Sequence, residues 1–308
     1  MMSYHTPVLL PESVAGLAIR PDGVYVDVTF GSGQSSRAIL SQLGEEGRLY
    51  AFDQDEDAQA NSIADARFTF IHANFRHIRN FLQFYGIAQV DGILADLGVS
   101  SHQFDVPERG FSTRYDGPLD MRMDRRKSLT AADVLANYGE EELAQLFCRY
   151  GEVFNAGKLA ARIVRYREKQ ALTQTSQLKE LLVGFVPKPK ENRYFAQVYQ
   201  ALRMEVNAEK DVLEALLTQS VALLKPGGRL VVISYHSIED RLVKQFLRSG
   251  NLEGKEEKDF YGNSLSPFRV ITRKAIVPGE AELQSNNRSR SARLRIGEKK
   301  QHCHGQSI

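Results

Sequence analysis

The chain has 308 residues, 42% of them hydrophobic, a net charge of +2 and only two cysteines. That is enough apolar material for one large or two modest cores, and no apolar run reaches the roughly 18 residues that a membrane span needs. Cys148 and Cys303 are too far apart for a disulfide framework or a zinc cluster, and the N-terminus lacks a basic-then-apolar leader, so a cytoplasmic protein without membrane or metal site is expected.

In chain order, a β-rich run from Val24 to Phe30 ends in Gly31-Ser32-Gly33. Ser35–Leu43 reads as a helix stopped by Gly44, and Arg48–Phe52 as a second strand ending at Asp53. Helices over 58–66 and 78–85 alternate with strands over 68–72 and 90–96, and this β-α-β alternation predicts a parallel α/β sheet. Roughly thirty loop-like residues then run from Gly98 to Thr130, a length that is unusual unless the loop is functional. Leu143, Leu146, Phe147 and Tyr150 mark a helix face and place Cys148 among them in the core. Leu159, Ala160, Ile163 and Val164 mark a second helix, which presents Lys158, Arg162, Arg165 and Arg167 on its other side. After Pro187-Lys188-Pro189-Lys190, helices over 194–206 and 210–224 lead to Lys225-Pro226-Gly227-Gly228, a stop-and-turn signal, and to a buried strand over 229–234. Two further β-like runs cover 268–276 and 292–296. Residues 105–215 therefore read as a helical domain inserted into an α/β domain made of 1–104 and 216–298, with 299–308 a disordered tail.

Open α/β sheets bind ligands at the carboxyl ends of their strands, where Gly31, Gly33 and Asp53 fall. Two glycines with a carboxylate about 20 residues on suit a nucleoside, whose ribose hydroxyls Asp53 can take. The third-glycine position of a dinucleotide loop holds Ser36, and Asp27 stands beside the seat of a pyrophosphate. Both features disfavour a dinucleotide and suit a cofactor with a positive centre and no phosphate. S-adenosylmethionine carries an ammonium and a sulfonium, which Asp27 and the glycine backbone can hold.

Asp96 ends the fourth strand and faces that loop across the switch point of the sheet. An exocyclic base amine is a poor nucleophile because its lone pair is delocalised into the ring. Asp96 and the carbonyl of Leu97 can accept its two N–H bonds and turn the lone pair towards a methyl donor. The plain alternative is an aspartate that caps the turn with Ser100 and Ser101. Methylation at a pyrimidine carbon needs a nucleophile such as cysteine. With Cys148 read as core and Cys303 as tail, direct transfer to nitrogen or oxygen is expected. Ser237 and Asp240 resemble a helix capping box, which leaves Tyr235 and His236 at a strand end where they can stack on a flipped base. Arg122, Arg125, Arg126 and Lys127 suit phosphates, and a basic C-terminal stretch from Arg269 to Lys300 points to the same polyanionic partner.

Longer strings carry a resemblance. His5-Thr6-Pro7-Val8-Leu9-Leu10, Asp96-Leu97-Gly98-Val99-Ser100-Ser101, Glu108-Arg109-Gly110-Phe111-Ser112, Asp116-Gly117-Pro118-Leu119-Asp120-Met121-Arg122-Met123-Asp124 and Ser234-Tyr235-His236-Ser237-Ile238-Glu239-Asp240-Arg241 together resemble the MraW (RsmH) family. Gln200-Ala201-Leu202-Arg203, Val206-Asn207 and Asn287-Arg288-Ser289-Arg290-Ser291 extend the likeness, which reaches residue 298. This family comprises bacterial methyltransferases that modify the exocyclic N4 of a cytidine in the decoding region of small-subunit ribosomal RNA. The resemblance implies a Rossmann-like S-adenosylmethionine-dependent methyltransferase sheet with an inserted all-helical domain. It implies 16S ribosomal RNA in the small ribosomal subunit as substrate and leaves a homodimer open. It carries cofactor contacts to Gly33, Gln34, Ser35, Asp53, Phe75, Asp96 and Gln103. Where the family loop commonly reads Gly-Gly-His, this chain has Gly33-Gln34-Ser35, so contacts made by that histidine do not transfer. The competing readings are an amino-methyltransferase acting on DNA, protein or a small molecule, and a ribosome-assembly factor without turnover.

Overall fold

A computed structural model describes residues 7–301. The chain forms two compact units, one from the segments up to Gly98 and from Asp211 onward, the other from Val99–Lys210.

The first unit is built on seven strands: β1 (Val24–Asp27), β2 (Arg48–Asp53), β3 (Phe68–His72), β4 (Val90–Asp96), β5 (Leu224–Ser234), β6 (Phe268–Val270) and β7 (Arg293–Lys299). Their order across the sheet is β3-β2-β1-β4-β5-β7-β6. The first five strands run parallel, and β7 is antiparallel to both of its neighbours. The winding reverses between β1 and β4, which makes their carboxyl ends the switch point where a ligand crevice forms. Strand alternation buries both faces. Val26, Phe52, Ile93 and Val232 pack on one side against α3 (Ile78–Phe84), α10 (Glu209–Leu223) and α11 (Ser237–Ser249). Tyr25, Leu49, Leu94 and Val231 pack on the other against α1 (Leu10–Leu17) and α2 (Gln34–Leu40). The remaining helix of this unit is α12 (Glu280–Ser285).

Three local expectations give way, the first two to side-chain competition. The helix expected over 58–66 is a single 3-10 stretch, Glu56–Asn61. Its ends are taken by polar side chains: Asp55 accepts the Asp57 N–H at 3.1 Å, and the Asn61 amide donates to the Gly31 carbonyl at 2.9 Å. The strand expected over 268–276 shortens to β6, because the Ile296 N–H donates to the Thr272 hydroxyl at 2.9 Å rather than to a ladder carbonyl. Lys299, expected to open a disordered tail, is buried at the end of β7, and the Lys300 N–H donates to the Pro267 carbonyl at 2.8 Å. Cys303 with the rest of that tail, and His5 and Thr6, lie outside the described residues.

The second unit contains α4 (Ser101–Asp105), α5 (Ala131–Asn137), α6 (Glu140–Gly151), α7 (Ala156–Arg167), α8 (Thr175–Leu182) and α9 (Glu191–Asn207). Leu143, Phe147, Leu159, Ile163, Leu178, Leu182, Val198 and Leu202 form its fully buried centre. Cys148 is exposed, not core. One residue beyond Phe147 turns about 100° around the helix, away from the apolar stripe. The long loop is ordered because its backbone is satisfied from within the unit. Asn207 accepts the Met123 N–H at 2.8 Å and donates to the Met121 carbonyl at 2.7 Å, while buried Arg109 donates to the Arg122 carbonyl at 3.0 Å. Among the described residues no helix is long and apolar enough to cross a membrane.

Candidate active site

Four strand ends of the first unit deliver the side chains that could act on a ligand. β1 runs into Gly31 and Gly33, both in the left-handed region at φ 52° and 76°. Gly33 caps α2, and a Cβ there would lie 2.8 Å from the Phe30 ring, so the chain can turn this tightly only at glycine. Beside Gly31 the space is open, the nearest atom to a Cβ being 3.9 Å away. Gln34 and Ser35 are the first two residues of α2, half-buried, with their backbone N–H groups at its start.

Three carboxylates surround this loop. Asp27 is buried at the end of β1 and accepts the Ser36 hydroxyl at 2.7 Å and the Thr29 N–H at 3.1 Å. Burial holds its pKa above the ordinary carboxylate range against both bonds. Asp53, at the end of β2, accepts the Gly31 N–H at 2.8 Å and the Asp55 N–H at 2.9 Å. Burial, with Asp55 and Asp27 adding repulsion, pushes it up to about 6. Asp96, at the end of β4, is pushed up to about 7 by burial, with Asp27 and Glu239 adding repulsion. A group of acids this reluctant to ionise lowers its energy by taking a cation, and it repels a phosphate.

Tyr235 does not present itself only as a stacking ring. Its hydroxyl donates to Asp96 Oδ1 at 2.8 Å, and burial beside that carboxylate drives the phenol far above its ordinary pKa. Strand register explains the meeting: Asp96 pairs with Ile233, and Tyr235 lies two residues further along the same face. The Tyr235 ring lies at ordinary contact distance from Gly98, where the chain leaves β4 at φ 97°, a conformation that favours glycine. Thr29 completes the junction, its hydroxyl accepting the Asp96 N–H at 2.7 Å.

The expected capping box at Ser237 and Asp240 is not what forms. His236 is the cap of α11: its side chain accepts the Glu239 N–H at 3.4 Å, and its Nε2 lies 3.1 Å from Glu239 Oε1. With its side chain 9% exposed, the imidazole is committed to the helix start rather than offered to a base. Glu239 also accepts the Tyr235 N–H at 2.9 Å. Asp240 turns instead to Arg295 on β7, at 2.6 and 3.1 Å. Glu239 and Asp240 were hidden from sequence reading because a capping pattern already accounted for them. Phe75 follows β3 and packs half-buried against the core.

In the second unit, Gln103 is buried in a capping box with Ser100: its N–H donates to the Ser100 hydroxyl at 3.2 Å and its Oε1 accepts the Ser100 N–H at 3.1 Å. Arg122 braces the loop, paired with Asp120 at 2.7 Å and donating to the Lys127 carbonyl at 2.7 Å. It is a fixed strut and not an outstretched phosphate ligand. Arg109 is likewise buried. Arg125 and Arg126 are exposed, the latter paired with Asp124 at 2.8 Å.

Comparison with known proteins places the chain in a family. The MraW methylase family matches residues 2–300. The ribosomal RNA small subunit methyltransferase H of Flavobacterium johnsoniae is 57% identical over 298 residues, covering 97% of this chain and 98% of its own length. That of Bacteroides thetaiotaomicron is 56% identical over 299 residues, with 97% and 98% covered. Among solved structures, an rRNA methylase from Streptococcus thermophilus aligns with 97% of this chain and 99% of its own at 11% identity, with a TM-score of 0.42.

Proposed function

The chain belongs to the MraW methylase family, and from that premise we propose that it methylates the exocyclic N4 of a cytidine in the decoding region of 16S ribosomal RNA, using S-adenosylmethionine. The observation that carries the reading is the set of charge-starved carboxylates around an open glycine turn, Asp27 buried and Asp53 and Asp96 half-buried at neighbouring strand ends. These residues fit the cofactor. Asp53 would take the ribose hydroxyls; Asp27, Gly31, Gly33 and the first N–H groups of α2 would hold the methionine end. Family likeness supports Phe75 as a further contact. When bound, S-adenosylmethionine supplies an electrophilic methyl group.

The protein's own contribution is positioning and proton handling. Asp96 and the Leu97 carbonyl would accept the two N–H bonds of the amine and aim its lone pair. The Tyr235 hydroxyl on Oδ1 fixes the carboxylate plane and leaves Oδ2 for the amine. A carboxylate poised near neutrality can also take up the proton that the amine sheds once it is methylated. The surface of the second unit, with Arg125 and Arg126, and the basic C-terminal segment would hold the RNA backbone.

The test is transfer of radiolabelled methyl from S-adenosylmethionine to small subunits purified from a strain lacking the enzyme, followed by nucleoside analysis. Label in N4-methylated cytidine is the expected result. Label in another nucleoside, in protein, or nowhere would overturn the proposal.

A further inference from the structure

The second unit also holds a cleft that the reaction does not use. Its volume is about 310 Å³, and Phe154, Asn155, Lys158, Arg162, Gly184 and Phe185 line it. That size is at the lower end for small-ligand sites.

The cleft is built around one buried anchor. Tyr194 of α9 is 2% exposed, and its hydroxyl donates to Asn155 Oδ1 at 2.7 Å. Its ring stacks on Phe185 at 5.9 Å and 15° between planes, and meets Phe154 edge-on at 6.5 Å. Arg162 lies over the Phe185 ring at 5.0 Å. Phe154 is nonetheless 80% exposed. It sits in the short turn between α6 and α7, directly after Glu152, a helix end at φ 51°, and buried Val153. An aromatic ring fixed in place yet left in water, beside Lys158 and Arg162, combines a stacking surface with cations suited to a phosphate.

We infer that this cleft binds an unpaired nucleotide of single-stranded RNA, its base stacked on Phe154 and its phosphate held by Lys158 and Arg162. Charge complementarity selects this occupant: among the described residues no carboxylate lines the cleft, and a base offers a flat apolar face where a phosphate neutralises the two cations. The inference rests on the proposed RNA substrate and adds to it a contact outside the reacting centre. Arg165 and Arg167, expected on the same basic helix face, take no part: Arg165 donates to the Ala161 carbonyl at 3.3 Å and Arg167 to the carbonyls of Leu135 and Tyr138 at 2.7 and 2.6 Å.

The chain contains no tryptophan, so Phe154→Trp creates a single reporter in the full-length protein. Titration with a mixed-sequence single-stranded oligoribonucleotide of about ten nucleotides should quench its emission saturably. Phe154→Ala should weaken binding of that oligonucleotide, read by anisotropy, about fivefold or more. It should not alter binding of an abasic ribose-phosphate oligomer of the same length, whereas Lys158→Glu with Arg162→Glu should weaken both. Unchanged tryptophan emission, or wild-type RNA affinity in Phe154→Ala, would overturn the inference. So would a Phe154→Ala protein with normal RNA affinity but a smaller sedimentation coefficient, which would mean that the ring seats a second copy of the chain. Since the readout is RNA binding, wild-type protein that bound the oligonucleotide yet failed to methylate subunits would count against the proposed reaction and not against this site.

Discussion

Asp53 and Asp96 show how burial turns ordinary aspartates into ligand-seeking groups. Asp53→Ala should weaken S-adenosylmethionine binding by about 1.5–3 kcal/mol, the range for hydrogen bonds to a charged group, as measured by calorimetry. The Gly31 N–H that Asp53 holds would lose its partner too. Unchanged affinity would remove Asp53 from the site. Asp96 makes a prediction about stability. Its folded pKa of about 7 lies well above the unfolded value near 3.9. The native state therefore binds more protons between those values, and the stability of the ligand-free protein falls as pH rises through that window. Asp53, pushed to about 6, adds the same sign over the lower part. Asp96→Asn removes the larger share, so the variant should melt higher than wild type at pH 8 and lose that advantage near pH 4. Its turnover at saturating cofactor should nevertheless drop on the order of a hundredfold or more. Near-wild-type turnover in this variant would end the amine-orienting role.

Among the elements, α11 and β7 are joined by an ion pair that strand patterns do not announce. Asp240 and Arg295 are each 9% exposed at the side chain and share two hydrogen bonds. Asp240→Ala would strand a buried guanidinium and should cost about 3–5 kcal/mol in denaturant unfolding. Asp240→Leu with Arg295→Met should recover most of that loss, because a packed apolar pair has no charge to desolvate. A single-variant loss below ~1 kcal/mol would mean that water reaches the pair. The strands were legible from their composition: Val24–Asp27, Arg48–Asp53, Phe68–His72 and Val90–Asp96 are apolar or β-branched runs ended by polar residues. The cap of α11 was not. Ser237 looked like the capping residue, but the backbone turns one residue earlier, and only the chain path shows that His236 holds the non-helical conformation at φ −142°.

Over the whole molecule, RNA binding should be salt-dependent and partly separable from cofactor binding. Arg125→Glu with Arg126→Glu should weaken binding to small subunits and flatten its dependence on salt, since each lost phosphate contact removes about one counterion from the slope. Lost cofactor affinity with an unchanged salt slope would recast this loop as a cofactor lid. Cys148→Ala should leave methyl transfer intact, because the thiol is exposed on α6 and no covalent step is proposed. Loss of activity in that folded variant would reopen carbon methylation.

The succession of strands along the chain, the glycine turn and the acidic strand ends were determined by sequence alone, because a period of two and a glycine's tolerance of positive φ are local properties. The long strings, Asp116 to Asp124 above all, also sufficed for the family. Partnership was decided only by the tertiary structure. Tyr235 reaches Asp96 across 139 residues through strand register. Arg122, which read as a phosphate ligand, is drawn inward by a carboxylate and carbonyls of the folded loop, and Arg109 is buried against a carbonyl of the same loop. Phe154, unremarkable in a helix-rich stretch, gains meaning only beside Tyr194, Phe185 and Arg162. Local pattern sets which groups a segment carries, but burial and long-range packing set what each one faces, and so its charge state and its chemistry.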